Sequence, residues 1–206
     1  MAQQPDTIFL KNLLESHRDL FEHILNHPTH NEVQILYTQI DRDEHNVPHF
    51  KSYSYRLNAN HYFYPASTVK LPTAIFALEK LNELNVKGLD MKSVMITDSA
   101  FAGQTKVTKD SSSKSGLPSI ENYIKKILLV SDNDAYNRLY EFVGRGEINQ
   151  KLKKYGLNDT RIVCRLAIGD RGESSKHTNP VNFYNKGKLV YQKPALYDPN
   201  EYPQTT

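Results

Sequence analysis

The chain has 206 residues, of which 38% are hydrophobic and 24% are charged, and its formal net charge is +3. These values are typical of a globular protein with a buried core. The small net charge and the scattered lysines do not favour a nucleic-acid-binding surface, and no apolar run approaches the roughly 18 residues that a membrane span needs. The single cysteine, Cys164, excludes an internal disulfide.

The N-terminal part predicts a helix followed by a strand hairpin. Residues 7–25 are amphipathic, with a polar run at 15–19 as a candidate break, and His27-Pro28 ends the pattern. Residues 33–40 and 50–57 then alternate apolar and polar side chains, which predicts two paired strands.

Two short motifs, 64 residues apart, carry the strongest chemical information. They are the S-x-x-K string that begins at Ser67 and the S-D-N string at Ser131-Asp132-Asn133. About one S-x-x-K is expected by chance in a chain of this composition, and a second one does occur at Ser111. S-D-N is much rarer, with about 0.07 copies expected by chance, so the ordered pair is a strong signal.

The S-x-x-K spacing suits nucleophilic catalysis. A serine hydroxyl needs an adjacent base to take its proton, and residues three apart on a helix lie on the same face. Apolar residues recur at three- and four-residue steps from Leu71 to Leu84, which predicts a buried helix that begins near Ser67 and carries Lys70 beside it. The alternative role for Ser67 is that of a helix N-cap. Pro72 is a candidate kink.

The motifs and their surroundings resemble class A β-lactamases and their penicillin-binding relatives. Ala135, Asn137 and Leu139 continue the S-D-N string as in that family. Predicted helices that end at Gly144 and Gly156 follow. Two later segments, 154–160 and 178–180, also resemble segments of that family and occur in the same order. The resemblance covers roughly residues 7–185. It implies an α/β fold of the α+β type, with a mainly helical lobe plus an N-terminal helix and the first two strands of an antiparallel sheet.

The resemblance also implies roles for individual residues. Ser67 would attack a β-lactam or cell-wall peptide amide, Lys70 would take its proton, and Ser131 would pass a proton to the leaving nitrogen. Asn133 would contact the substrate amide, and Asp132 would brace the loop. The product would be an acyl-enzyme on Ser67, in an enzyme of the β-lactamase or D-Ala-D-Ala peptidase type.

Two departures from the family pattern affect these expectations. No K-T-G follows the S-D-N motif; Lys114-Ser115-Gly116 precedes it, in a segment (106–115) that is predicted to be an exposed loop. The family's deacylation glutamate belongs to an E-x-x-L-N pattern, which residues 161–170 lack. Glu173 is the nearest candidate for that base, and a surface glutamate is the alternative. Poor deacylation is therefore expected, which favours a penicillin-binding protein or a slow hydrolase.

The resemblance implies that the K-T-G strand and the remaining strands follow residue 206. We therefore expect residues 1–206 to form one incomplete domain. Residues 184–206, with several Pro, Tyr and Lys, are predicted to form an extended tail without a core of its own, or the start of an insertion. An open active site and exposed strand edges are expected for a chain of this length.

Met1 to Pro5 resemble an initiator methionine placed on a mature N-terminus, which predicts a periplasmic or secreted protein whose signal peptide has been removed. The expected partner is a small-molecule or peptide substrate, with no nucleic acid, no membrane span and a monomer at full length. No cofactor and no metal are expected, because the histidines at 23, 27 and 30 lack completing ligands and are favoured as surface residues.

Two alternatives to an enzyme remain. One is a catalytically degenerate module that binds cell-wall peptide without turnover, although a binder needs neither Ser67 nor Lys70. The other is a helical scaffold in which the motifs occur by chance, which the ordered matches disfavour.

Overall fold

A computed structural model describes residues 4–202 of the chain. The predicted mature N-terminus falls partly outside this range, at Met1–Gln3, as does the end of the tail, at 203–206. The fold is of the α+β type, with helices and small antiparallel sheets, as the sequence predicted. Contacts divide the chain into two compact units, Met1–Phe63 and Tyr64–Thr206. That residues 1–206 form one domain stays a prediction.

The first unit contains two short helices and a hairpin: α1 (Phe9–Ser16), α2 (Arg18–Asn26), β1 (Ile35–Arg42) and β2 (Pro48–Tyr55). The break predicted within the polar run is confirmed, because His17 leaves helical geometry between α1 and α2. The predicted hairpin is also confirmed, with both strands displaced by about two residues. Its antiparallel register pairs Ile35 with Tyr55 and Arg42 with Pro48.

The second unit contains most of the helices. In chain order it has a 3₁₀ turn (Ala66–Val69), α3 (Lys70–Leu84), β3 (Val94–Thr97), α4 (Ile120–Val130), α5 (Asn133–Val143), α6 (Arg145–Lys154) and α7 (Glu173–Lys176). Four strands follow: β4 (His177–Thr178), β5 (Val181–Asn185), β6 (Lys188–Lys193) and β7 (Leu196–Tyr197). Pro72 causes no break, because it lies in the first turn of α3, where proline is tolerated.

Helix α5 is the centre of the core of this unit. Every residue from Ala135 to Val143 is buried, and the largest of these side chains are the aromatic rings of Tyr136, Tyr140 and Phe142. Helices α3, α4 and α6 pack around α5. Because α5 begins at Asn133, the S-D-N motif lies at the N-terminal end of this buried helix.

The structure corrects the predicted tail. Strands β5 and β6 form a hairpin whose two loop residues, Lys186 and Gly187, both have positive φ, as a type I′ turn requires. Strand β5 also pairs with β3 in an antiparallel three-stranded sheet, and β4 pairs with β7. Val190 and Tyr191 pack against the main core. Residues 184–193 are therefore part of a sheet that covers the helices, although the sequence predicted an extended segment there.

Among residues 4–202, no helix combines the length and the apolar character that crossing a membrane would need.

Candidate active site

Ser67 and Lys70 lie where the chain enters helix α3. Ser67 is in the 3₁₀ turn that precedes the helix, and Lys70 is the first α-helical residue. The Ser67 hydroxyl does not cap either helix, so the alternative N-cap role is not observed. Instead the Ser67 Oγ lies 3.0 Å from the Lys70 Nζ. Ser67 is exposed, whereas Lys70 is only 2% exposed. The pair therefore joins an accessible hydroxyl to a buried amine.

Ser131 lies in a tight turn between α4 and α5. It adopts the left-handed conformation, with φ of 54° and ψ of 41°, which is strained for a residue with a side chain. The Ser131 N–H donates to the Ile127 carbonyl at 3.0 Å and so ends α4. Asp132 is the N-cap of α5, and its Oδ1 accepts a hydrogen bond from the Ala135 N–H at 2.8 Å. This N-cap allows one short turn to reverse the chain.

The turn brings Ser131 and Asn133 onto the Lys70 amine. The Lys70 Nζ lies 3.0 Å from the Ser131 Oγ and 2.6 Å from the Asn133 Oδ1. It also donates a hydrogen bond to the Ser131 carbonyl. The predicted proximity of the two motifs is thus observed, although 61 residues separate Lys70 from Ser131 along the chain. Their catalytic roles stay predictions.

The oxygens around Lys70 can provide hydrogen-bond partners for a neutral amine. Four oxygens surround the Lys70 Nζ, but an ammonium has three N–H groups. The Ser131 carbonyl and the Asn133 Oδ1 can only accept hydrogen bonds. A neutral amine satisfies both with its two N–H groups, and its lone pair then accepts a hydrogen bond from the hydroxyl of Ser67 or of Ser131. An ammonium would also make three hydrogen bonds here, so the geometry accommodates both forms, including the neutral amine that can act as a base.

The electrostatic setting shifts the balance toward the neutral form. Burial lowers the pKa of Lys70 below its ordinary value, because the charged form loses its hydration. The negative charge of Asp132 opposes this fall and favours the ammonium. The burial effect is the larger, so Lys70 deprotonates more readily than an exposed lysine does.

Comparison with known families adds an independent observation. A family model described as the Beta-lactamase enzyme family matches residues 19–196, which is most of the chain. The chain belongs to this β-lactamase family. Membership supports a serine hydrolase and a small-molecule substrate at the level of the family. No curated protein matches the chain at a significant level.

Glu173, the doubtful candidate for the deacylation base, begins α7. Its carboxylate lies 3.8 Å from the Lys176 Nζ and 3.4 Å from the His177 Nε2, and its side chain is 59% exposed. Within the described part of the chain, its ion pairs are with these two residues rather than with Lys70. The structure therefore does not bring Glu173 to the other predicted site residues. Glu173 is a surface glutamate, which was the alternative prediction from the sequence.

The second S-x-x-K string lies in a loop, as the sequence predicted for residues 106–115. Ser111 follows Asp110 in a series of turns, without a helix to align its hydroxyl with Lys114. Ser111 and Lys114 are both exposed. The site at Ser67 is therefore distinguished from this string by local structure.

The histidines that invited a metal interpretation lie in and after α2, where the His23 and His27 rings are 5.6 Å apart. Between residues 4 and 202, no group of three or more His, Cys, Asp or Glu side chains could hold a metal ion.

A buried ion network near α5 was missed by sequence reasoning. The Arg165 guanidinium lies 2.6 Å from Glu141 Oε1 and 2.8 Å from Asp170 Oδ1, and both carboxylates are buried. Asn137, one turn beyond Asn133, exchanges two hydrogen bonds with the backbone of Leu166 at 2.7 and 3.0 Å. These contacts hold the 165–170 segment against α5. Opposite charges at 165 and 170 were the available signal in the sequence.

Proposed function

We propose that the protein is a serine acyl-transferring hydrolase that forms an acyl-enzyme on Ser67 with a β-lactam or a cell-wall peptide amide. The observation that carries this proposal is the meeting of Ser67, Ser131 and Asn133 at one buried amine, that of Lys70. An exposed serine beside a buried lysine whose pKa is lowered by that burial is an arrangement suited to nucleophilic catalysis.

In the first step, neutral Lys70 takes the proton of the Ser67 hydroxyl while the Ser67 Oγ forms a bond to the carbonyl carbon of the substrate. The carbonyl electron pair moves onto its oxygen. When this pair returns, the carbon–nitrogen bond breaks, and the leaving nitrogen takes a proton from the Ser131 hydroxyl. Ser131 regains a proton from the Lys70 ammonium, 3.0 Å away. The amine is then neutral again, and the acyl group is held on Ser67.

Asn133 has two groups that this reaction uses in different ways. Its Oδ1 holds the Lys70 amine at 2.6 Å. Its amide nitrogen is then available to donate a hydrogen bond to the amide oxygen of a substrate beside Ser67, which is the contact that the family resemblance implies. Asn133 is exposed, so a substrate can reach it.

Release of the acyl group needs a water molecule and a base to activate it. Glu173 pairs with Lys176 and His177, and the 161–170 segment lacks the E-x-x-L-N pattern. We therefore propose that deacylation is slow and that the acyl-enzyme accumulates, as in a penicillin-binding protein. A trapped acyl-enzyme is easier to detect than turnover.

The experiment is labelling by a fluorescent penicillin, followed by denaturing electrophoresis, which retains only covalent adducts. Ser67→Ala and Lys70→Ala should each abolish the label, and the two losses should not add, because nucleophile and base act as one unit. Ser111→Ala is the matched control and should label like the wild type. Label that survives in Ser67→Ala and disappears in Ser111→Ala would show that the nucleophile is Ser111 and that the proposed assignment to Ser67 is wrong.

The second candidate function is a cell-wall peptide-binding module without turnover. Because Glu173 lies away from the site, the binding module is favoured over an efficient hydrolase. A binding module, however, would leave the Ser67–Lys70 pair without a role. Equilibrium binding of a penicillin without any covalent adduct, unchanged in Ser67→Ala, would support this module and reject the acyl-enzyme.

A further inference from the structure

Lys126 lies near the C-terminal end of α4 and connects two carboxylates. Its Nζ is 3.4 Å from the Asp132 Oδ2 and 3.6 Å from the Asp110 Oδ2. Its side chain is 21% exposed, so these attractions are less screened than those of a surface pair. The carbonyl of Lys126 also accepts a hydrogen bond from the Asp132 N–H at 3.4 Å. Lys126 therefore contacts the S-D-N turn through both its side chain and its backbone.

The carboxylate on the other side of Lys126 is firmly anchored. Asp110 accepts hydrogen bonds from the Ser112 hydroxyl and the Asn122 amide, each at 2.6 Å, and is only 9% exposed. Lys126 thus links Asp132 to a fixed point in the loop that precedes α4.

We propose that Lys126 is a positioning residue for the acyl transfer at Ser67, and that it acts through Asp132. It holds the strained Ser131 turn in place, and it neutralises the charge of Asp132 beside the Lys70 amine. This inference rests on the proposed function, because it assigns Lys126 a role in keeping Lys70 able to act as a base.

Two contributions follow from this geometry. The first is mechanical, because the left-handed backbone of Ser131 persists only if its surroundings determine it. The ion pair to Lys126 and the Asp132 N-cap of α5 both restrain the residue next to Ser131. The second is electrostatic, because Asp132 raises the pKa of Lys70 against the effect of burial. A cation 3.4 Å from the Asp132 carboxylate reduces that opposing effect.

The other charged groups at this place do not substitute for Lys126. Asp110 adds a second negative charge from the loop before α4. Asp134 and Arg138, on α5, pair with each other at 2.8 Å. If Lys126 lost its charge, both Asp110 and Asp132 would lose their cation. The pKa of Lys70 should then rise, and less of it would be neutral at pH 7.

The test measures the protonation of Lys70 directly. In protein labelled with [13C]lysine, the Cε resonance of Lys70, assigned by its loss in Lys70→Arg, is followed by NMR as a function of pH. We expect Lys126→Met to raise the Lys70 titration midpoint by about one pH unit, which is the lower end of the effect of a nearby charge. Lys126→Arg should keep the wild-type midpoint.

Lys125→Met is the matched control. Lys125 is the adjacent residue of α4, its side chain is 61% exposed, and it pairs with Glu121 at 2.9 Å. An unchanged Lys70 midpoint in Lys126→Met, or an equal rise in Lys125→Met, would overturn the proposal. Adding Asp132→Asn to Lys126→Met provides a further check, because removing both charges should return the midpoint toward the wild-type value. A midpoint that stayed raised would also contradict the proposal.

Penicillin labelling separates this inference from the proposed function. If Ser67 is acylated, Lys126→Met should label about tenfold more slowly at pH 7, in proportion to the smaller neutral fraction of Lys70, and should recover at higher pH. If no variant is acylated, the proposed function fails, and the NMR titration still decides whether Lys126 controls the charge of Lys70. A slow rate in Lys126→Met that does not recover with pH would contradict the electrostatic part.

Discussion

Replacing Arg165 with methionine should strongly destabilise the second unit. Arg165 is the cation between Glu141, which is 1% exposed, and Asp170, whose side chain is equally inaccessible. Its guanidinium also donates to the carbonyls of Ser174 and His177. Removing one partner of a buried ion pair costs about 3–5 kcal/mol, because the remaining charge stays buried without compensation.

The assay is thermal unfolding followed by circular dichroism. At about 2–4 °C per kcal/mol for a chain of this size, Arg165→Met should lower the Tm by about 10 °C. Arg171→Met is the control, since Arg171 is exposed, and it should change the Tm little. If uncompensated charge is the cause, adding Glu141→Gln and Asp170→Asn to Arg165→Met should restore part of the loss. A Tm within 2 °C of the wild type for Arg165→Met would refute this reasoning.

Three further predictions concern titration and the site. The rate of penicillin labelling should rise with pH and level off below pH 10.5, because burial lowers the pKa of Lys70; a rate that is independent of pH between 6 and 10 would exclude Lys70 as the base. Burial lowers the pKa of Lys193 to about 8, so the unfolded chain binds more protons than the folded one between about pH 8 and 10.5. The free energy of unfolding should therefore rise through that window, and equilibrium denaturation should show a smaller rise in Lys193→Met; an equal rise would contradict the assignment. Asn133→Ala removes the 2.6 Å hydrogen bond to Lys70 and should slow labelling about 10- to 100-fold, whereas wild-type labelling kinetics would show that the contact is dispensable.

The part of the site that depends on local geometry could be predicted from the sequence. The three-residue spacing of Ser67 and Lys70 places the two side chains together whenever a helical turn forms there. The break near His17 and the first hairpin followed from polar residues and from alternation. These features depend on neighbours within a few residues of the chain, which is the range over which such patterns operate.

The conformation of Ser131 could not be predicted in this way. Serine has no particular preference for the left-handed region, and the turn forms because α4 and α5 are packed on either side of it. The approach of Ser131 to Lys70 was expected from the family resemblance, since nothing in the spacing between the two motifs requires it. The same limit applies to Arg165, whose partner Glu141 is 24 residues earlier.

The sequence did not predict the hairpin of β5 and β6, because the hairpin buries a residue of a type that is usually exposed. Lys193 is 2% exposed, although lysine is rarely buried, and its Nζ is satisfied by the carbonyls of Asn179 and Pro194. The turn at Lys186-Gly187 was a usable signal, since glycine in a two-residue loop between short strands is typical of a hairpin. Strand β3 has four residues, which is too short for alternation to be distinctive.

The most direct test of the account is peptide-level mass spectrometry of the protein after incubation with a penicillin. The account predicts a mass increase equal to the whole penicillin, carried by the peptide that contains Ser67 and absent from Ser67→Ala. No adduct at any pH between 6 and 10, or an adduct on a residue other than Ser67, would contradict it.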